Sequence, residues 1–324
     1  MEILKQLIAS SPFIYSTDQC HLIDSSDFPN TYKNEENKKI KVEAYFNGSI
    51  VGYKGKIYFC CRADQRPWFE NIRLVFCELD EDFIPKNETA RFLEVGSNLH
   101  DKGKSGEFRV EDPRLFVCGG RLHIVYGDGF EVYHGIFDDN FKIERWKNIT
   151  NFSVRIEEND GREKNWCPFD YEGHPHFIYS DNPRVIWCPY RRQAILSDQK
   201  ITWNYGQIRG GSPAIAYNEG YLTFFHSAQN CDGKDWFGGR LYYMGAYFFE
   251  AKPPFRVTHI TKIPIMRGEE LYNNPQHPSK VIVVFPAGVI ESSDSFFVSL
   301  GINDNHTGVI RISKNLLQNL LIKL

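Results

Sequence analysis

The 324-residue sequence holds no uninterrupted apolar run of the roughly 18 to 20 residues that a bilayer-crossing helix requires, so no membrane partner is expected. It also lacks any long Lys/Arg block. With 38 basic against 41 acidic residues and a formal net charge of −3, there is no electrostatic track for nucleic-acid phosphates. Met1 to Ile8 shows no basic stretch leading into an apolar core, which points to a cytoplasmic location. Five Asn-x-Ser/Thr triplets, at Asn47, Asn87, Asn148, Asn151 and Asn305, keep a secretory compartment open. No Gly-x-Ser-x-Gly elbow is present. Gly210-Gly211 lacks the spacing and following helix of a nucleotide loop. His174-Pro175-His176 has no further ligand at zinc spacing, so neither a metal nor a resident cofactor is expected. The eight cysteines lie in strand-like apolar contexts and read as reduced core thiols.

What the chain does contain is apolar and aromatic residues, 42% and 15% of the total, enough for a sizeable core. They fall into a hairpin that recurs five times: Val42 to Asp64, Asp112 to Asp128, Pro168 to Asn182, Ser212 to Ala228 and Pro286 to Asp304. Turns such as Cys118-Gly119-Gly120 and Asn218-Glu219-Gly220 supply the positive φ angles that tight hairpins need. Further strand candidates follow at Arg73 to Leu79, Glu131 to Phe137, Val185 to Leu196 and Leu241 to Phe249. Units of about four strands are propeller blades, and some twenty strands are too many for a sandwich. The expected fold is therefore all-β, a single five-bladed β-propeller over 1–324 with short terminal helices. Residues 1–40 would be an N-terminal extension, with a helix over Glu2 to Ile8. A second helix is expected over 313–324, where Ser313 caps a stripe of Leu316, Leu317, Leu320, Leu321 and Leu324.

In a propeller the innermost strands line the axis, so polar residues at their starts converge on one mouth. Those starts carry Glu111-Asp112-Pro113-Arg114, Glu163-Lys164-Asn165-Trp166 and Arg209-Gly210-Gly211-Ser212-Pro213, while the second strands end in Arg62 with Asp64, His226 with Ser227, and Asn303 with Asp304. Carboxylates, cations and aromatic rings in one funnel suit a sugar. Asp112 is the candidate general acid, and an ion pair with Arg114 is its plain structural alternative. Lys164, Asn165 and Arg209 could hold an anion, and His226 ends an apolar run in register with the other channel-facing strand ends. Arg62, Asp64, Glu111, Arg114, Trp166 and Asp304 are the remaining candidates to touch the sugar.

With those residues placed, the chain resembles glycoside hydrolase family 130, the mannoside phosphorylases and mannosidases, with the related β-1,2-mannosyltransferases. The resemblance rests on Cys61-Arg62-Ala63, Val110-Glu111-Asp112-Pro113-Arg114, Lys164-Asn165-Trp166, Gly210-Gly211-Ser212-Pro213, Phe225-His226-Ser227, Tyr243-Met244-Gly245-Ala246, Phe285-Pro286-Ala287-Gly288 and Gly301 to Asp304. It implies a five-bladed propeller and an inverting reaction in which Asp112 donates the proton by way of a sugar hydroxyl. It further implies phosphate binding at Lys164, Asn165 and His226, and sugar hydroxyls held by Asp304. Two departures stand out: Tyr179-Ser180-Asp181 occupies the place of a second phosphate-binding arginine, and Gln207 that of a lysine, with Arg209 nearby as a substitute.

The expected activity is transfer of a mannosyl-type residue between a β-linked glycan and phosphate, or from a sugar phosphate or nucleotide sugar to an acceptor. Hydrolysis, with Glu163 or Asp304 activating water, is one competing reading. A glycan-binding propeller without turnover is another, and a furanosidase of other five-bladed families a third. The partner in each case is a glycan, and the sequence is compatible with a homo-oligomer.

Overall fold

The computed structural model describes residues 13–33, 39–65, 70–96, 109–150, 163–230, 240–269 and 282–324. The helix expected over Glu2 to Ile8 lies outside them, as do Asn151 and Cys231. Within them the chain is all-β in a propeller arrangement, with Lys314–Leu320 the one α-helix among the described residues. The strands form sheets that run outward from an inner strand. The first sheet orders Ala44–Tyr53, Lys56–Gln65, Glu70–Leu79 and Arg91–Phe92. The second orders Glu111–Cys118, Arg121–Gly127, Val132–Phe137 and Ile143–Asn148, and the third Cys167–Tyr171, His174–Asp181, Arg184–Cys188 and Gln193–Ser197.

The fourth sheet has a divided inner edge. Gln207–Gly211 and Ile215–Tyr217 both pair with Gly220–Asn230, followed by Arg240–Glu250 and Val257–Thr261. The single strand expected from Ser212 is thus broken, because Ser212-Pro213-Ala214 passes between the two pieces and Ala214 N–H bonds to Pro168 O of the third sheet. The fifth sheet orders Val284–Glu291, Ser295–Ile302 and His306–Ser313, and its outer strand is His21–Leu22. The N-terminal segment is therefore part of a sheet formed by the last hairpin.

Alternating side chains explain why these sheets stack face to face. Each apolar cluster is shared by neighbours: Tyr58 and Phe76 with Leu115 and Ile124, Phe116 and Val125 with Phe177 and Trp187, Phe169 and Ile178 with Tyr221 and Phe249. Leu222 and Met244 pack with Val298 and Ile310, and Phe59 and Val75 with Val309. Burying each such side chain contributes about 1.5–3 kcal/mol. Polar stitches join the inner strands as well: Leu115 N–H donates to Ser49 Oγ at 2.9 Å, and Ile50 N–H to Ser299 Oγ at 3.1 Å.

The hairpin turns behave as expected at Gly119 and Gly120, with φ of 55° and 74°. At Asn218-Glu219-Gly220 only Asn218 takes positive φ, 51°. Gly220 opens a strand instead, where a Cβ would come within 2.3 Å of Phe249 O. Val185 to Leu196 is two strands with a turn at 189–192. At the C-terminus Ser313 caps the helix by accepting from Leu316 N–H. The helix stops at Leu320, and Leu321–Lys323 pairs with the free edge of Val257–Thr261. The cysteines behave as core thiols: the seven described are free and buried.

Candidate active site

Four inner edges depart from regular pairing at one level. The register shifts between Phe46 and Ser49, between Glu111 and Arg114, between Arg209 and Gly211, and between Pro286 and Gly288. A bulge leaves its extra residue free of the ladder and re-aims its side chain. The left-handed backbone that goes with such turns falls on non-glycine residues here: φ is 52° at Asn47, 53° at Asp112, 62° at Asn165 and 49° at Asp304. Each costs about 1–2 kcal/mol and persists only where the surroundings over-determine it, which is a mark of functional sites.

Around Asp112 the sequence candidates converge. Arg62 lies 3.3 Å from Asp112 Oδ1, 3.4 Å from Glu111 and 3.2 Å from Asp64, and its guanidinium rests 4.6 Å from the centre of the Phe46 ring. Asp304 adds its charge to the field at Arg62, whose pKa rises despite burial. Asn47 Nδ2 donates to Asp112 Oδ1 at 2.9 Å. Burial alone would raise the Asp112 pKa, but Arg62, the Asn47 hydrogen bond and Arg114 together pull it below the usual carboxylate value. These partners favour the carboxylate form of Asp112.

Beside it lies a cationic hollow lined by Lys164, Asn165, Tyr179, Ser180, Gln207 and Arg209. The strand pairing sets Arg209 directly opposite His226. His226 is 3% exposed, and its Nδ1–H donates to Gly210 O, which fixes the tautomer and leaves Nε2 as the ring's acceptor. Burial, then the charges of Arg209, Arg114 and Lys164, push the His226 pKa down to about 3, so the ring is neutral. The Gly210-Gly211 pair is a packing requirement. A Cβ on Gly210 would sit 1.7 Å from Asn165 O, and one on Gly211 2.0 Å from Phe224 O.

Two expected sugar contacts line a small hollow with Asp112 but are largely buried. Trp166 is 1% exposed and packs edge-on to Tyr179 beneath the mouth, so it offers no ring face to a sugar. Arg114 is 2% exposed and bonds to protein groups. Glu163, the alternative base, is 2% exposed and accepts from Tyr179 O–H at 3.0 Å, which removes it from bulk water. Asp181 is bound to the buried Arg184 and so lends the hollow little negative charge. Sequence reasoning missed Asn47, which reads as a glycosylation triplet but is 4% exposed and sits on the candidate acid. The available signal was Asn47-Gly48 in the first inner strand at the place Asp112-Pro113 holds in the second. It also missed Arg109, which pairs with Glu111 at 3.0 Å. No group of His, Cys, Asp and Glu able to hold a metal occurs among the described residues.

The model of glycoside hydrolase family 130, described as beta-1,4-mannooligosaccharide phosphorylase, matches residues 22–322. A beta-1,2-mannobiose phosphorylase from Thermoanaerobacter sp. (strain X514) is 31% identical over 120 residues, which are 37% of this chain. The match spans 36% of that relative's own length. Among solved structures, a mannose phosphorylase from Leishmania mexicana in complex with phosphate ion superposes with a TM-score of 0.58 at 11% identity, covering 100% of this chain and 95% of the other. The beta-1,2-mannobiose phosphorylase from Listeria innocua, in complex with beta-1,2-mannobiose, gives 0.53 at 18% identity, covering 93% and 98%. At such identities the superpositions speak for the fold.

Proposed function

Because the chain belongs to glycoside hydrolase family 130, we propose that it is an inverting glycoside phosphorylase acting on β-linked mannosides, with its five larger sheets serving as five blades around the site. The observation that carries this reading is the juxtaposition of Asp112 with the cationic hollow that Lys164, Asn165 and Arg209 line, with the buried His226 paired opposite Arg209. In phosphorolysis a phosphate oxygen attacks the anomeric carbon as the glycosidic C–O bond breaks. The departing oxygen takes a proton that Asp112 supplies, and the products are α-mannose 1-phosphate and a shortened glycan. Arg62, Asp64, Glu111 and Asp304 surround the donor side, where paired charges suit sugar hydroxyls. The chemistry calls for no resident cofactor, since phosphate is the co-substrate.

The pull of Arg62 and Arg114 toward ionised Asp112 is compatible with this scheme. A phosphate anion bound at Lys164 and Arg209 brings negative charge toward Asp112 and so raises its proton affinity when the nucleophile arrives. Run backwards, the same site would carry mannose from a sugar phosphate to an acceptor. Hydrolysis is the second reading, favoured by Tyr179-Ser180-Asp181 standing where a second arginine is expected. Incubation with β-1,2- and β-1,4-mannobiose, with and without phosphate, separates the two. Sugar release that requires phosphate and yields mannose 1-phosphate supports phosphorolysis; equal release without phosphate supports hydrolysis.

A further inference from the structure

Arg114 is nearly solvent-free, yet it touches three sheets and the segment that leads into a fourth. Nη1 donates to the backbone carbonyl of Asp112 in the second sheet at 3.0 Å, and Nε to that of Gly211 in the fourth at 2.6 Å. Nη2 reaches Asn165 Oδ1, just ahead of the third sheet, at 3.4 Å, and the Phe285 ring of the fifth lies 5.1 Å from the guanidinium carbon. The carbonyl it grips belongs to the residue whose left-handed backbone, at a bulge, aims the candidate acid. Only a planar fork with several donors can make these bonds together, and a lysine cannot.

We propose that Arg114 is a positioning residue: it clamps the Asp112 backbone across the channel, aiming the carboxylate beside the anion hollow and holding a fixed positive charge behind it. This rests on the phosphorolysis reading. His226, paired opposite Arg209 of the hollow, packs with its ring tilted against Phe285, ring centres 5.0 Å apart, so the clamp and the hollow are joined through one buried ring. The charged and polar groups facing Asp112 are Asn47, Arg62 and Asp64 of the first sheet, Glu111 and Arg114 of its own strand, and Asp304 acting through Arg62. Lys164 and Asn165 line one hollow with Asp112 and Arg114, and the charges of Arg209, Arg114 and Lys164 all act on His226.

The test is kinetic, with β-mannobiose and phosphate, on Arg114→Lys and Arg114→Gln. A misplacement of about 1 Å costs on the order of 100-fold in rate. Both variants are therefore expected to lose about 100-fold in kcat while the phosphate KM stays within about threefold. The proton donor must be protonated, so the rate falls as pH rises through its titration. Arg114→Gln removes a positive charge and moves that falling limb to higher pH, whereas Arg114→Lys keeps the charge and leaves it in place. A merely structural arginine would lower the folded fraction and the melting temperature without moving the limb. Phe285→Leu, which removes the ring beneath the guanidinium and beside His226, gives a smaller kcat loss of the same kind and covers the case in which Arg114→Gln does not fold. Variants with wild-type kcat, or limbs that do not separate Gln from Lys, overturn the clamp. An inactive wild type overturns phosphorolysis instead; the 13C carboxyl titration of Asp112 then decides, moving up in Arg114→Gln alone if the clamp is real and unchanged in all three if it is not.

Discussion

Asp112→Asn replaces one carboxylate oxygen by an amide and leaves the shape intact. Oδ1 receives two donors, Asn47 Nδ2 at 2.9 Å and Arg62 at 3.3 Å. The new side chain therefore keeps its carbonyl oxygen toward them and loses only the charge. At an effective dielectric constant near 20, a charge pair at that distance interacts by about 5 kcal/mol. Little of this reaches stability, because Arg62 retains Glu111 at 3.4 Å and Asp64 at 3.2 Å, and removal of one of three crowded carboxylates relieves their mutual repulsion. A stability change of no more than about 1 kcal/mol is expected, a shift of roughly 2 °C in Tm for a chain of this size. Catalysis is another matter: loss of a general acid costs about 100- to 10,000-fold, or about 3–5 kcal/mol of transition-state stabilisation. The assay is kcat for mannose 1-phosphate formation beside a thermal melt and a glycan-binding isotherm. Activity within tenfold of wild type in a folded variant would refute the role of Asp112. An activity loss matched by unfolding would refute the reasoning about Arg62.

Lys164→Ala and Arg209→Ala each remove one charged donor from the hollow, and each should raise the phosphate KM about 10- to 100-fold with the glycan KM little changed; a larger effect on the glycan would contradict the assignment. Trp166→Ala should lower stability by about 3–5 kcal/mol, while Trp166→Phe leaves the glycan KM within about threefold, as steady-state kinetics and denaturant melts would show. Gly210→Ala should disable turnover, because its Cβ would meet Asn165 O at 1.7 Å, and crystallography should find Asn165 displaced. Burial pushes His123 down to about 4 and His134 and His226 down to about 3. Their folded values lie below the unfolded one, so the unfolded chain takes up protons first. Stability should fall as pH drops below about 6.5, by up to about 1.4 kcal/mol per pH unit for each histidine, until the folded values are reached. Denaturant titrations from pH 7 to 4.5 check this, and His134→Phe should flatten the slope by one proton.

Much of the fold is legible in the sequence because strand alternation and glycine turns are local signals. Lys56–Gln65 and Arg121–Gly127 follow directly from them. His21–Leu22 was not legible, since two residues carry no period and their partner lies nearly three hundred residues away. The C-terminal leucine stripe reads as helix to its end. Only the structure reveals the unpaired edge of Val257–Thr261 that draws Leu321–Lys323 into a strand. In the site, residue type located Asp112, Lys164, Arg209 and His226, but a side chain's facing does not follow from its type. Trp166 turns into the core, Arg114 into the protein, and Asn47 onto Asp112, each according to a bulge or turn that shifts the alternation by one. The replacement at Tyr179-Ser180-Asp181 is legible as a departure, and its effect depends on Asp181 pairing with Arg184 across the tight turn at Asn182-Pro183.

The central claim is that an acid at Asp112 and an anion in the neighbouring hollow act on the same β-mannosidic bond. A 31P NMR time course of the protein with β-mannobiose and inorganic phosphate tests it most directly. The account predicts consumption of phosphate with appearance of α-mannose 1-phosphate, abolished in Asp112→Asn. Free mannose accumulating while the phosphate signal stays constant would contradict it.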